Sequence, residues 1–86
     1  MQVSVYDTYV TRTDGAVMHF DILVPSTLSS PVTIHAYGQA YLSTKGQAGQ
    51  PLTAKECRFC HIEQATQEIE ANITSQGFHI IEMQGC

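Results

Sequence analysis

The chain has 86 residues, which is enough for one domain with a modest core. Four basic residues against eight acidic ones give a formal charge of −4, so there is no basic stripe for nucleic-acid phosphates and no polybasic patch for a membrane surface. Apolar residues make up 43% of the chain, a globular composition rather than a disordered one. No apolar run approaches the length of a membrane span, and residues 1–7 lack the charged-then-apolar pattern of a secretion signal. The expectation is one cytoplasmic domain covering residues 1–86.

Residues 2–12 alternate between apolar and polar, and 17–24 do the same, with Asp14-Gly15 between them. Asp-Gly between alternating runs is a strong hairpin signal, because glycine supplies the positive φ that tight turns need. A two-residue turn would pair Val10 with His19, Thr8 with Asp21 and Tyr6 with Leu23. The core face would then carry Val3, Val5, Asp7, Tyr9, Met18, Phe20, Ile22 and Val24. Asp7 is the anomaly there, since a buried carboxylate needs a partner. His35, Tyr37 or a loop N–H could supply one, and a hydrogen bond ordering a helix against the hairpin is favoured over catalysis. His19 and Asp21 lie two apart on one strand and share a face. They could form an acid–base pair with Thr8, although a solvated sheet face is the ordinary explanation.

Pro25 ends the second strand. Ser30-Pro31 reads as an N-cap followed by proline at the first helical position. Val32, Ala36, Tyr37, Ala40 and Tyr41 then recur at helical spacing to about residue 44, and Gly46 supplies a stop. Residues 45–51 are a loop. Thr53-Ala54-Lys55-Glu56 matches a capping box, which predicts a helical turn just before Cys57. Ile62, Ala65, Ile69 and Ile73 form the stripe of a second helix, closed by Gln76-Gly77. Phe78–Met83 reads as a third strand. The predicted class is α+β in two layers, with order β-β-α-α-β. A hairpin and a third strand form a small, mostly antiparallel sheet, and both helices lie on one face. The third strand is expected beside the first.

The chemically loaded stretch is Cys57-Arg58-Phe59-Cys60-His61. Three cysteines are an odd count, which argues against a disulfide framework and for metal or redox use in a reducing compartment. Cys-x-x-Cys-His is also the attachment motif of c-type haem, but that chemistry belongs outside the cytoplasm and on mostly helical scaffolds, so haem is set aside. Zinc is the second reading. Cys57 and Cys60 would chelate from a turn, with Cys86 as a third thiol and His79, His35 or His19 completing the set. His61 is a weaker ligand, because adjacent helical residues point about 100° apart. Thiol redox chemistry is the third: a cysteine in a first helical turn has a stabilised thiolate, and Cys86 could resolve a disulfide. In the plainest reading the thiols are small core residues. No phosphate-binding glycine loop and no Gly-x-Ser-x-Gly elbow occurs.

Several motifs carry a resemblance. They are Tyr6-Asp7-Thr8-Tyr9-Val10, Asp14-Gly15, Met18-His19-Phe20-Asp21, Ala36-Tyr37-Gly38, Glu56–Glu63 and the closing Gly85-Cys86. In this order they resemble an uncharacterised bacterial family, the domain-of-unknown-function family numbered two thousand and twenty-four. The resemblance spans nearly the whole chain and implies a small bacterial domain, with no activity to carry over. The leading expectation is a cytosolic binding or regulatory domain with a thiol site at Cys57, Cys60 and Cys86 open to zinc, and the residues leave the question of catalysis undecided, leaning against an enzyme. Asp7, His19, Asp21 and His35 are the other candidate polar positions. The rivals are a thiol redox protein and a self-associating interaction module, the latter using a sheet face with Tyr6, Val10, Val17 and Leu23.

Overall fold

The turn between the first two strands decides the faces of the sheet. In the computed structural model, which describes all residues 1–86, strand β1 (Gln2–Thr11) returns as strand β2 (Val17–Pro25). The Gly15 N–H donates to the Arg12 carbonyl at 3.0 Å, and the Arg12 N–H donates to the Ala16 carbonyl at 2.7 Å. Thr13, Asp14 and Gly15 therefore form a three-residue loop, with Gly15 at φ +89°. A glycine in the left-handed region is the usual closing residue of such a loop. The Asp14 carboxylate accepts the Ala16 N–H at 3.0 Å and braces it.

The third loop residue shifts the register by one from the two-residue expectation. Val10 pairs with Met18, Thr8 with Phe20, Tyr6 with Ile22 and Asp7 with Asp21. Because side chains alternate with period two, a one-residue slip moves every β1 side chain to the other face. Asp7 thus leaves the predicted core face. Val10 and Leu23, expected on an exposed interaction face, are fully buried.

The remaining elements are helix α1 (Pro31–Thr44), strand β3 (Cys57–Gln64), helix α2 (Gln67–Gln76) and strand β4 (His79–Gln84). All strands join one antiparallel sheet in the order β3-β1-β2-β4. The α+β class and the antiparallel sheet agree with the sequence. The order is β-β-α-β-α-β, and the last strand pairs with β2 rather than β1. No helix is long and apolar enough to cross a membrane.

The sheet has a helix on each face. Val10, Met18, Phe20, Ile22 and Val24 pack with Ile34, Tyr41 and Leu42 of α1. Val3, Val5 and Leu23, which point the other way, pack with Ile73, Ile69 and Ala65 at α2. Two helices on one face would have left Val3, Val5 and Leu23 bare, and their burial is what recruits α2. Helix α1 begins as predicted, with the Ser30 hydroxyl accepting the Thr33 N–H at 3.4 Å and Pro31 in the first turn. Its other end is tied to β4: the Tyr41 hydroxyl donates to Glu82 Oε2 at 2.5 Å, and Lys45 Nζ lies 2.7 Å from the same oxygen. Burial and the Glu82 hydrogen bond push the Tyr41 hydroxyl well above its usual range, while Lys45 and Tyr41 lower Glu82.

The capping box forms and then stops. The Thr53 N–H donates to Glu56 Oε1 at 2.8 Å, and the Cys57 N–H closes the turn on the Thr53 carbonyl at 2.9 Å. The chain then extends along the free edge of β1, so Cys57–Ile62 are strand rather than helix. Ladder bonds on that edge outweigh the local capping signal. The second helix begins later, where the Thr66 hydroxyl accepts the Ile69 N–H at 3.3 Å, and ends at Gly77 with φ +96°. A Cβ at Gly77 would strike the Tyr37 ring, whereas one at Gly46, with φ +70°, would meet open space. Gly77→Ala is therefore expected to cost about 1 kcal/mol or more in urea unfolding, and more than Gly46→Ala. The reverse order would contradict the close approach of Tyr37 to the end of α2.

Candidate functional site

Helix α2 covers only the Val3, Val5 and Leu23 end of its face. Beyond it the sheet is open, and the corrected register gathers polar side chains there. Asp7 and Asp21 are direct cross-strand partners, and Tyr9 and His19 are the next such pair. Tyr9 and His19 stack with ring centres 4.1 Å apart and planes 12° apart. That stack holds the imidazole in place, and its Nε2 lies 2.5 Å from Asp7 Oδ1. One ligand atom each from Asp7, His19 and Asp21 lies within 4.8 Å of the others, and all three residues are half-buried.

The electrostatics follow from this placement. Like charges directly opposite on neighbouring strands repel. Asp21 responds by holding its proton more tightly: burial raises its carboxyl, a hydrogen bond with Asp7 and the Asp7 charge raise it further, and His19 and His61 pull it down. Two carboxyl groups can hydrogen-bond only if one of them carries a proton. The donors nearest the pair are His19, at Asp7, and Arg58, opposite Asp7 on β3.

The other candidates are scattered. Cys57 stands opposite Thr8 on the α1 side and is 5% exposed; burial raises its thiol, and a hydrogen bond with Thr8 opposes this. Cys60 is the extra residue of a β-bulge between Phe59 and His61, and it is exposed. Three residues of extended strand span about 10 Å, so Cys57 and Cys60 cannot share one ion at Zn–S distances of about 2.3 Å. Cys86 lies against the α1-side core, its Sγ 3.5 Å from the His19 carbonyl and 3.4 Å from that of Gln84. The expected Cys57, Cys60, Cys86 chelate is therefore not assembled, because its first two members lie on a strand and not in a turn. His61 is exposed on the α2 side, with Nδ1 3.1 Å from Cys60 Sγ and Nε2 3.2 Å from Glu63. His35 lines a cavity of about 160 Å³ with Tyr6, Ile34 and Cys57, across the sheet from Asp7. The partner of Asp7 is His19, not His35 or Tyr37. Tyr9, expected on the core face, is instead exposed beside the cluster, and the signal for its place is the loop length that sets it opposite His19.

Similar proteins agree with the fold. The profile of a family described as a domain of unknown function, DUF2024, matches residues 1–83. Among solved structures, the NMR structure of protein NE1680 from Nitrosomonas europaea is similar, with a TM-score of 0.86 and 41% identity, covering 100% of this chain and 99% of that one. Among curated proteins none matches.

The Asp21 shift has a definite sign. The folded chain binds this proton more tightly than the unfolded chain, so stability falls as pH rises from the ordinary value of 3.8 through the raised folded value, and stays lower above it. In buffer with a chelator, Asp21→Asn should stabilise the protein at neutral pH by roughly 0.2–1 kcal/mol, the scale of cross-strand pair effects. The gain should vanish in acid, below the ordinary carboxylate value. A variant less stable than the parent at neutral pH would contradict the repulsion.

Proposed function

The chain belongs to the DUF2024 family of domains of unknown function, and for it we propose a small binding domain that takes a divalent first-row metal ion through Asp7, His19 and Asp21. The observation that carries this reading is the convergence of two carboxylates and one imidazole nitrogen within 4.8 Å on an otherwise open sheet face. Ligand atoms about 2 Å from one ion lie roughly 3–4 Å from each other, so small side-chain adjustments suffice. The mixed oxygen and nitrogen donors suit zinc or manganese. A dication between the carboxylates turns their repulsion into attraction, and it competes with protons for the ligand atoms. The Tyr9 ring stacks on the imidazole and fixes its plane.

Three protein ligands leave coordination positions for water or a partner's donor group. None of the cavities in the chain is lined by Asp7, His19 or Asp21, which supports binding over turnover of an enclosed substrate. The redox alternative is weaker: Cys57 is buried with a raised thiol, the opposite of what a reactive thiolate needs. We place the domain in the cytoplasm, since three unpaired thiols suit a reducing compartment.

Calorimetric titration of metal-free protein with zinc tests the reading. Saturation at one equivalent is expected, with affinity lowered at least tenfold by Asp7→Asn, Asp21→Asn or His19→Ala and unchanged by Cys57→Ser or Cys60→Ser. Binding that is lost with the cysteines and kept without the carboxylates would restore the thiol site. Absence of saturable binding would end the proposal.

A further inference from the structure

Strand β3 is the outermost strand on its side of the sheet, and every residue from Arg58 to Gln64 is exposed. An edge strand presents a row of unpaired N–H and C=O groups, which proteins usually blunt or cover. Here the edge keeps two large apolar side chains in the open, Phe59 at 55% and Ile62 at 52% exposure. Phe59 is braced from behind by the Tyr6 ring, edge to face at 5.7 Å. Arg58 has no ion pair in the chain, and the one side-chain contact of Glu63 is the exposed His61.

We propose that this edge pairs with a second copy of the chain, β3 against β3, antiparallel about a twofold axis. The strand is self-complementary in that arrangement. Arg58 lies opposite the second copy's Glu63, Phe59 opposite its Ile62, and Cys60 opposite its His61. The symmetry forms each pair twice. Opposite charges and aromatic–aliphatic pairs are the cross-strand contacts that stabilise sheets.

The bulge is what makes this register possible. Side chains directly opposite each other must share a face of the sheet. In a regular strand Arg58 and Glu63 would point to opposite faces, and so would Phe59 and Ile62, because side chains alternate. The extra residue Cys60 resets the alternation. Arg58, beside Asp7, and Glu63, beside Val3, then both lie on the α2 side. Phe59, beside Tyr6, and Ile62, beside Ser4, both lie on the α1 side. A bulge ordinarily discourages edge pairing. Two copies with the same bulge at the centre of the contact bend together, so their edges match. The opposite edge, β4, offers no such complement: its one charged side chain, Glu82, is tied to Lys45 and Tyr41.

The pairing uses none of Asp7, His19 and Asp21, so it stands apart from the metal reading and is tested with a chelator present. Sedimentation equilibrium of the full chain should show a concentration-dependent dimer. Arg58→Glu and Glu63→Arg should each raise the dimer dissociation constant at least tenfold. Both positions are exposed, and unchanged far-ultraviolet circular dichroism would show the fold kept. An equimolar mixture of the two variants should restore a dimer, because each copy then meets its opposite charge at both ends. The double variant R58E/E63R should restore it as well. A parent protein that stays monomeric at millimolar concentration would overturn the proposal. A dimer indifferent to either charge reversal, or single variants that the mixture fails to rescue, would overturn it too.

Discussion

One glycine at φ +89° closes the hairpin, and the rest of the molecule is organised by the register that this loop imposes. A third loop residue sets Asp7 against Asp21 and Tyr9 against His19, and turns Thr8 and Val10 toward α1. Register is strongly specified where both faces must be buried, because any slip exchanges core and surface along a whole strand. Here each face has its own helix. Met18, Phe20, Ile22 and Val24 require one cover, and Val3, Val5 and Leu23 require another. The two helices therefore lock the register that the loop begins.

The polar cluster is the part of the second face that α2 does not reach. Two facing carboxylates cost stability, and the structure offsets that cost with a histidine held by an aromatic stack. Half-exposed acids kept opposite one another suit a site where a cation comes and goes.

Much of the fold was legible in the sequence. The alternation of 2–12 and 17–24, the Ser30-Pro31 helix start and the Gly77 stop all stand where the residues placed them. The cysteine stretch did not yield, because its capping box is real and local signals cannot reveal that β1 has a free edge waiting for Cys57–Gln64. Ile62 also continued the stripe of Ala65, Ile69 and Ile73 by coincidence of spacing, which hid the boundary between strand and helix. The candidate site was half legible. Asp7, His19 and Asp21 were each visible as polar residues on a hairpin, but their meeting depends on one loop residue that Asp-Gly alone does not count.

The central claim is that the hairpin register builds a cation site from those three residues. Paramagnetic broadening of the two-dimensional ¹H–¹⁵N spectrum by substoichiometric manganese tests it directly. The signals of residues 7, 9, 19 and 21 should broaden first and those of their cross-strand neighbours Arg58 and Gln84 next, and the pattern should be lost in Asp7→Asn but kept in Cys57→Ser and Cys60→Ser. Broadening centred on the cysteines, or spread evenly over the acidic surface, would contradict it.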